Sequence, residues 1–192
     1  MSQPRSMVSS PKSGKETVNN LNSSSEAALA KELPLLRQLL SIDRTRAQVS
    51  ASSRKRALEH GSEILAGSND LNARSVLDAL LARERLGSTA LGDGVAIPHC
   101  RLAQCDAPVG VLLTLAEPVD YNAPDDGPFK GCVDILFILV VPESANDEHL
   151  KILSQLASIL IEETNRVALR EARDHSTLFE TMVGIPNKVT DT

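Results

Sequence analysis

Four histidines, His60, His99, His149 and His175, are the residues of this chain with the widest chemical repertoire near neutral pH. His60 and His175 stand in unremarkable surroundings and read as surface or structural side chains. His99 closes the run Gly87-Ser-Thr-Ala-Leu-Gly-Asp-Gly-Val-Ala-Ile-Pro-His99. Glycines allow backbone to come close to an anion, and Ser88 and Thr89 add hydroxyl donors. Pro98 fixes its own φ and drives Ile97 into an extended conformation, so His99 sits at a stiff strand end. A neutral imidazole is a competent phosphoryl acceptor, with a reference pKa near 6.5 that leaves the nucleophilic form populated at neutral pH. Phosphoryl transfer asks a protein chiefly for positioning and charge stabilisation. Arg83 or Arg85, at the end of the preceding helix, can bring the guanidinium. His149 falls in the first turn of a later helix, where the partial positive charge disfavours imidazolium and the free amides suit phosphate. On residue chemistry alone, a glycine-rich turn carrying a structural histidine competes with this reading.

Other chemistries are less well provided for. His99, Cys100, Cys105 and His149 offer nitrogen and sulfur to a metal, but they lack the paired spacing of a structural zinc site. Asp125-Asp126 and Asp147-Glu148 read as solvated or capping carboxylates. Gly92-x-Gly94 lacks the third glycine and the preceding strand of a dinucleotide fingerprint. Gly14-Lys15 lacks the rest of a P-loop. No cofactor and no metal is implied.

The chain has 192 residues, a size that buries a core without disulfide or metal staples. Only 2% of it is aromatic and Trp is absent, so the core is aliphatic and stacking platforms for single-stranded nucleic acid are missing. A formal net charge of −5 provides no field to gather phosphate backbones, so no nucleic-acid partner is expected. No run approaches the roughly 20 apolar residues of a membrane helix, so no membrane insertion is expected. Three cysteines in a chain without a secretory signal read as reduced thiols of a cytoplasmic protein.

The elements that must hold these residues follow from pattern. Residues 1–25 are Ser-rich and nearly devoid of large apolar side chains, and read as a disordered tail before a single domain over 26–192. A short helix begins near Leu33, followed by a strand over 44–49. Ser52 or Ser53 caps a helix with Ala57, Leu58, Ile64 and Leu65 on its apolar face, and Asn72 caps one with Val76, Leu77, Leu80 and Leu81. Val109–Leu115 and Val133–Val141 are continuous aliphatic runs, the mark of strands buried on both faces. Residues 117–131 read as a turn-rich loop. Asn146 or Asp147 opens a long helix whose stripe is Leu150, Leu153, Leu156, Ala157 and Leu160, and helices over 164–173 and 176–183 close the chain. An α/β fold follows, its sheet covered on both faces by helices.

At the histidine segment a family becomes legible. Arg83-Glu-Arg-Leu-Gly-Ser-Thr-Ala-Leu-Gly-Asp-Gly-Val-Ala-Ile-Pro-His99 closely resembles the active-site segment of the fructose/mannitol-type enzyme IIA (EIIA type-2) domains of the bacterial phosphotransferase system. Val140-Val-Pro and His149-Leu-Lys-Ile-Leu-Ser resemble that family's second-histidine region, and the likeness runs from about Leu33 to Val183.

The resemblance implies a mixed β-sheet sandwiched between helices in three αβα layers. It implies that His99 accepts a phosphoryl group on Nε2 from the phosphohistidine of a small HPr-type carrier, that His149 assists, and that Arg83 stabilises the phosphate. Ser88 and Thr89 fall in the phosphate-side loop. A free-standing chain without transporter or sugar-handling IIB segments resembles the nitrogen-related regulatory branch, IIA-Ntr. There the phosphoryl group is a signal to regulatory targets such as potassium-transport proteins or sensor kinases. A sugar-transport IIA feeding a separate IIB, and a binding module that no longer accepts phosphate, are the alternatives. Two departures stand out: Cys100 where the family shows Gly, and a tail longer than the domain requires.

Overall fold

The computed structural model describes residues 35–122, 128–145 and 147–186. The expected tail over 1–25, the helix start near Leu33, the Asp125-Asp126 pair and the Asn146 cap lie outside the described residues. The elements run α1 (Leu35–Leu39), a 3-10 turn (Ile42–Arg44), β1 (Thr45–Val49), α2 (Arg54–Ser68) and α3 (Ala73–Arg85). They continue with β2 (Ala90–Gly92), β3 (Val95–Ala96), β4 (His99–Leu102), β5 (Val109–Asp120), β6 (Cys132–Pro142), α4 (Asp147–Leu160), α5 (Glu163–Glu171) and α6 (His175–Gly184).

The strands form one mixed sheet in the order β1-β5-β6-β3-β2, with β4 also pairing β6. β5 and β6 are antiparallel, whereas β1 on β5, and β3 and β4 on β6, are parallel. The two aliphatic runs are the centre of this sheet. On β6, Ile135, Phe137, Leu139 and Val141 enter one core with Leu36, Ile152, Leu156, Leu169 and Leu178. Leu136, Ile138 and Val140 enter the other, with Ala57, Leu58, Val76 and Leu80. Strand alternation thus divides one continuous apolar run between two helical layers, α1 and α4–α6 on one face and α2–α3 on the other. Burying each such Leu or Ile contributes about 1.5–3 kcal/mol before the entropy of ordering is charged against it. This is the expected three-layer α/β arrangement.

Local chemistry sets the element ends. Ser53 accepts a hydrogen bond from the Arg56 amide and Asn72 from the Ser75 amide, so both expected caps are present. Gly61, a weak helix former, lets α2 sit against the sheet, since a Cβ there would run into the side chain of Ile138.

Two expectations change. β5 continues to Asp120, so residues 117–120 are strand rather than loop; a register shift between Thr114 and Val119 absorbs Pro118. On α4 the buried positions are His149, Ile152, Leu156, Ile159 and Leu160, and Leu150 is 64% exposed. The inward stripe includes the histidine, which rotates Leu150 to the surface.

Candidate functional site

Arg83 lies in the last turn of α3 and His99 opens β4. Between them Gly92-Asp93-Gly94-Val95 turns β2 back onto β3, with Gly92 paired to Val95. Asp93 and Gly94 both have positive φ, 48° and 81°, as the Asp-Gly of a type I′ hairpin turn requires. The segment is fixed at three backbone points: Ile97 N–H donates to Thr89 O at 3.0 Å, Leu139 N–H to Pro98 O at 2.9 Å, and Ile135 N–H to Gly94 O at 3.0 Å. Arg170 of α5 clamps the turn. It grips Asp134 with two hydrogen bonds of 2.8 Å each, donates to Asp93 O at 2.6 Å and lies over the Phe129 ring.

His99 is half-buried and tethered through both nitrogens. Its Nδ1 lies 2.8 Å from Ile97 O, and Nε2 accepts from Arg83 Nε at 3.1 Å. A carbonyl can only accept and a guanidinium only donate, so the neutral ring carries its proton on Nδ1 and its lone pair on Nε2. The same guanidinium donates through Nη1 to Gly87 O at 3.0 Å, tying loop and helix end to the ring. Burial holds the His99 pKa below its ordinary value, and the Arg83 and Arg101 cations lower it further against opposing contributions from the Ile97 carbonyl and Glu84. The nucleophilic form therefore dominates at neutral pH.

The His149 ring centroid lies 5.3 Å from that of His99, the planes inclined at 66°. Its pKa is also lowered, by burial first, then by coupling to the titration of His99 and by the Arg101 and Arg83 cations. Nδ1 lies 3.3 Å from Arg101 Nη2, and the buried Nε2 has no hydrogen-bond partner.

A cleft of about 330 Å³ opens on Arg83 and His99, lined also by Ser88, Thr89, Leu91, Ile97 and Leu153 among others. Larger hollows of about 440 and 480 Å³ lie elsewhere, one around Asn69 and Asp106 and one around His60 and Glu63, away from this chemistry. Beneath the loop, buried Glu84 accepts from the Thr89 amide at 3.0 Å and the Thr89 hydroxyl at 2.6 Å. Arg54 approaches Glu84 to 3.7 Å and covers the Tyr121 ring. Ser88 Oγ donates to Tyr121 O at 3.4 Å and accepts from the Ala90 amide at 3.3 Å. Ser88 and Thr89 thus border the cleft while their hydroxyls shape the loop.

The structure brings together His99, His149 and Arg83, and leaves Arg85 exposed. His175 is structural, its Nδ1 accepting from the Ala47 amide at 3.0 Å. Cys100 takes the opposite face of β4 from His99 and packs in the α2–α3 core with Cys105. Among the described residues, no group of three or more His, Cys, Asp or Glu is disposed to hold a metal ion. Sequence reasoning missed Arg101 and Glu84. The i, i+2 spacing of His99 and Arg101 on a strand was the one available signal for the first.

This fold, with a tethered, neutral histidine beside an arginine and a second histidine, defines a phosphotransferase-system class. A family model described as phosphoenolpyruvate-dependent sugar phosphotransferase system, EIIA 2, matches residues 38–183, and the chain belongs to that family. Within it, the chain is similar to proteins named nitrogen regulatory protein. It is 40% identical over 153 residues to the one from Pseudomonas aeruginosa, covering 79% of this chain and 97% of that relative. It is 38% identical over 146 residues to the one from Escherichia coli K12, covering 76% and 87%. The crystal structure of nitrogen regulatory protein IIA-Ntr from Neisseria meningitidis matches with a TM-score of 0.67 at 34% identity, over 81% of this chain and 99% of that one. The Escherichia coli IIA mannitol crystal structure shares the fold, with a TM-score of 0.62 at 20% identity over 74% and 98%. No helix among the described residues is long and apolar enough to cross a membrane.

Proposed function

We propose that this protein is a phosphoryl carrier whose phosphorylation state is a regulatory signal, with His99 as the acceptor. The observation that supports this most is the state of the His99 ring, whose Nε2 lone pair faces a cation while Nδ1–H is held by Ile97 O. The donor is a small HPr-type protein carrying phosphohistidine. In the transfer the donor's N–P bond breaks, a new N–P bond forms at His99 Nε2, and the donor imidazole leaves with the electron pair of the broken bond. Arg83 Nε must turn from Nε2 to the phosphoryl oxygens, where the same charge offsets theirs. His149 assists from 5.3 Å away, and Ser88 and Thr89 form the loop on the phosphate side. No cofactor takes part.

The chain spans nearly the whole of relatives named nitrogen regulatory protein, which favours the signalling role over sugar transport. Its targets are then cytoplasmic faces or proteins that distinguish His99 from phospho-His99, potassium-transport proteins and sensor kinases being the kinds the family resemblance implies. Radiolabel passed from phosphoenolpyruvate through enzyme I and HPr tests the proposal. One acid-labile, base-stable equivalent is expected, absent from His99→Ala; label retained in that variant refutes the assignment. Onward transfer to a IIB partner would shift the role to sugar transport.

A further inference from the structure

We infer that Arg101 is a positioning residue for His149: by donating to Nδ1 it fixes the ring as the Nε2–H tautomer and so creates a hydrogen-bond donor for the phosphoryl group on His99. The inference rests on the carrier reading for that last step. Its first step is independent of it.

Arg101 Nη2 lies 3.3 Å from His149 Nδ1. A guanidinium has donors only, so the Nδ1 facing it presents its lone pair, and the neutral ring keeps its one proton on Nε2. That Nε2 is buried without a partner, in a residue only 6% exposed. A buried donor left unpaired is costly, and native structures seldom keep one without a use. The neighbouring group that changes its hydrogen-bonding capacity is the His99 ring, 5.3 Å away between centroids. Once phosphorylated, it offers anionic oxygens to a donor that now has none to meet.

The two histidines are thus held in opposite tautomers by different partners. His99 keeps its proton on Nδ1 through Ile97 O and exposes a lone pair at Nε2, as a nucleophile must. His149 keeps its proton on Nε2 through Arg101, as a donor must. In the other tautomer His149 would turn a lone pair toward the phosphoryl oxygens and repel them. Burial and surrounding positive charge oppose protonation, so tautomer choice rather than a second proton supplies the donor. Arg101 itself is exposed on β4, and replacing it removes no core packing.

The test uses full-length protein labelled with nitrogen-15, at about pH 8 where both imidazoles are neutral. Imidazole correlations report which ring nitrogen bears the proton, and a His149→Gln variant assigns the signal. Wild type and Arg101→Lys are expected to carry the His149 proton on Nε2, while Arg101→Leu shifts to the Nδ1–H form or a mixture. After charging from HPr, the phosphoryl half-life should fall about tenfold in Arg101→Leu, the worth of one hydrogen bond to a charged group, and recover in Arg101→Lys. A wild-type proton on Nδ1, an unchanged spectrum in Arg101→Leu, or a shifted tautomer with an unchanged half-life overturns the inference. Wild type that takes no phosphoryl group sinks the carrier reading instead, and the spectrum still decides the tautomer assignment.

Discussion

Arg83 and His99 share one hydrogen bond, Nε to Nε2 at 3.1 Å, through the ring nitrogen that carries the lone pair. On the proposed carrier reading, that contact holds the acceptor in place before phosphate arrives and has to break when it does. Electrostatic stabilisation would then be preorganised, because the cation that tethers the lone pair is the one that meets the incoming charge.

Arg83→Ala should therefore slow charging by about 100-fold, the usual scale for losing one preorganised donor. It should also raise the His99 pKa, because Arg83 is one of the cations that lower it. Arg83→Lys keeps the charge but loses the reach to Gly87 O and should recover only part of the rate. Rates come from quenched radiolabel time courses and the pKa from an NMR titration. A normal rate in Arg83→Ala would remove this arginine from the reaction.

The two depressed histidines also set a pH dependence. His99 and His149 both have folded pKa values below 6.5, so the unfolded chain binds protons as pH falls through about 6.5 while the folded protein does not. Their contribution is fully present above that value, shrinks as pH drops below it, and levels off below the folded pKa values. Urea midpoints should fall between pH 7.5 and pH 5.5, and this drop should flatten in His99→Gln/His149→Gln. On the carrier reading, phosphoryl uptake needs neutral His99 and should persist below pH 6.5. A wild-type urea midpoint that does not change across this range would contradict the lowered pKa values.

Much of this was legible because the relevant signals are local. Ser53 and Asn72 cap helices through their own side chains, and the Val109 and Val133 runs read as buried strands because both faces of β5 and β6 are covered. Arg83 and His99, which the structure brings into contact, stand in one contiguous stretch of sequence. What escaped depends on partners distant in the chain. Pro118 reads as a breaker, yet β6 pairs across the register shift and keeps β5 in the sheet to Asp120. The Gly87–His99 run reads as a glycine-rich turn, although its Asp93-Gly94 pair is also a hairpin signal, and β2 and β3 pair across it. Leu150 loses the inward position to His149, an outcome that hydrophobic periodicity alone does not indicate. Cys100 is tolerated because it lies on an ordinary strand and packs into the core, a setting that needs no glycine.

The Cys100 thiol is pushed up to about 12, chiefly by burial and then by Cys105, and Cys105 is raised by burial as well. Neither is a thiolate at neutral pH, so both should resist thiol reagents in the folded protein. Cys132 is partly exposed and should react first. A colorimetric thiol assay at pH 8 should show one fast equivalent, and two more only on unfolding. Rapid modification of Cys100 in the folded protein would show that β4 opens readily.

Gly94 joins stability to the site. Its φ of +81° is strained for any residue with a side chain, and a Cβ there would lie 2.5 Å from Arg170 Nη2 and 2.7 Å from Asp134 Oδ1. Gly94→Ala thus pays twice, in backbone strain and in displacement of the Arg170–Asp134 pair that clamps the β2–β3 turn. A loss of about 2–4 kcal/mol is expected from denaturant unfolding, larger than the roughly 1–3 kcal/mol of backbone strain alone. Because the turn leads through β3 to His99, charging should slow at temperatures where the variant is still folded. Arg170→Ala separates the two effects: it relieves the contact with the new methyl, so Gly94→Ala/Arg170→Ala should be less destabilised than the sum of the single changes. Strict additivity would mean that the clamp and the glycine act independently.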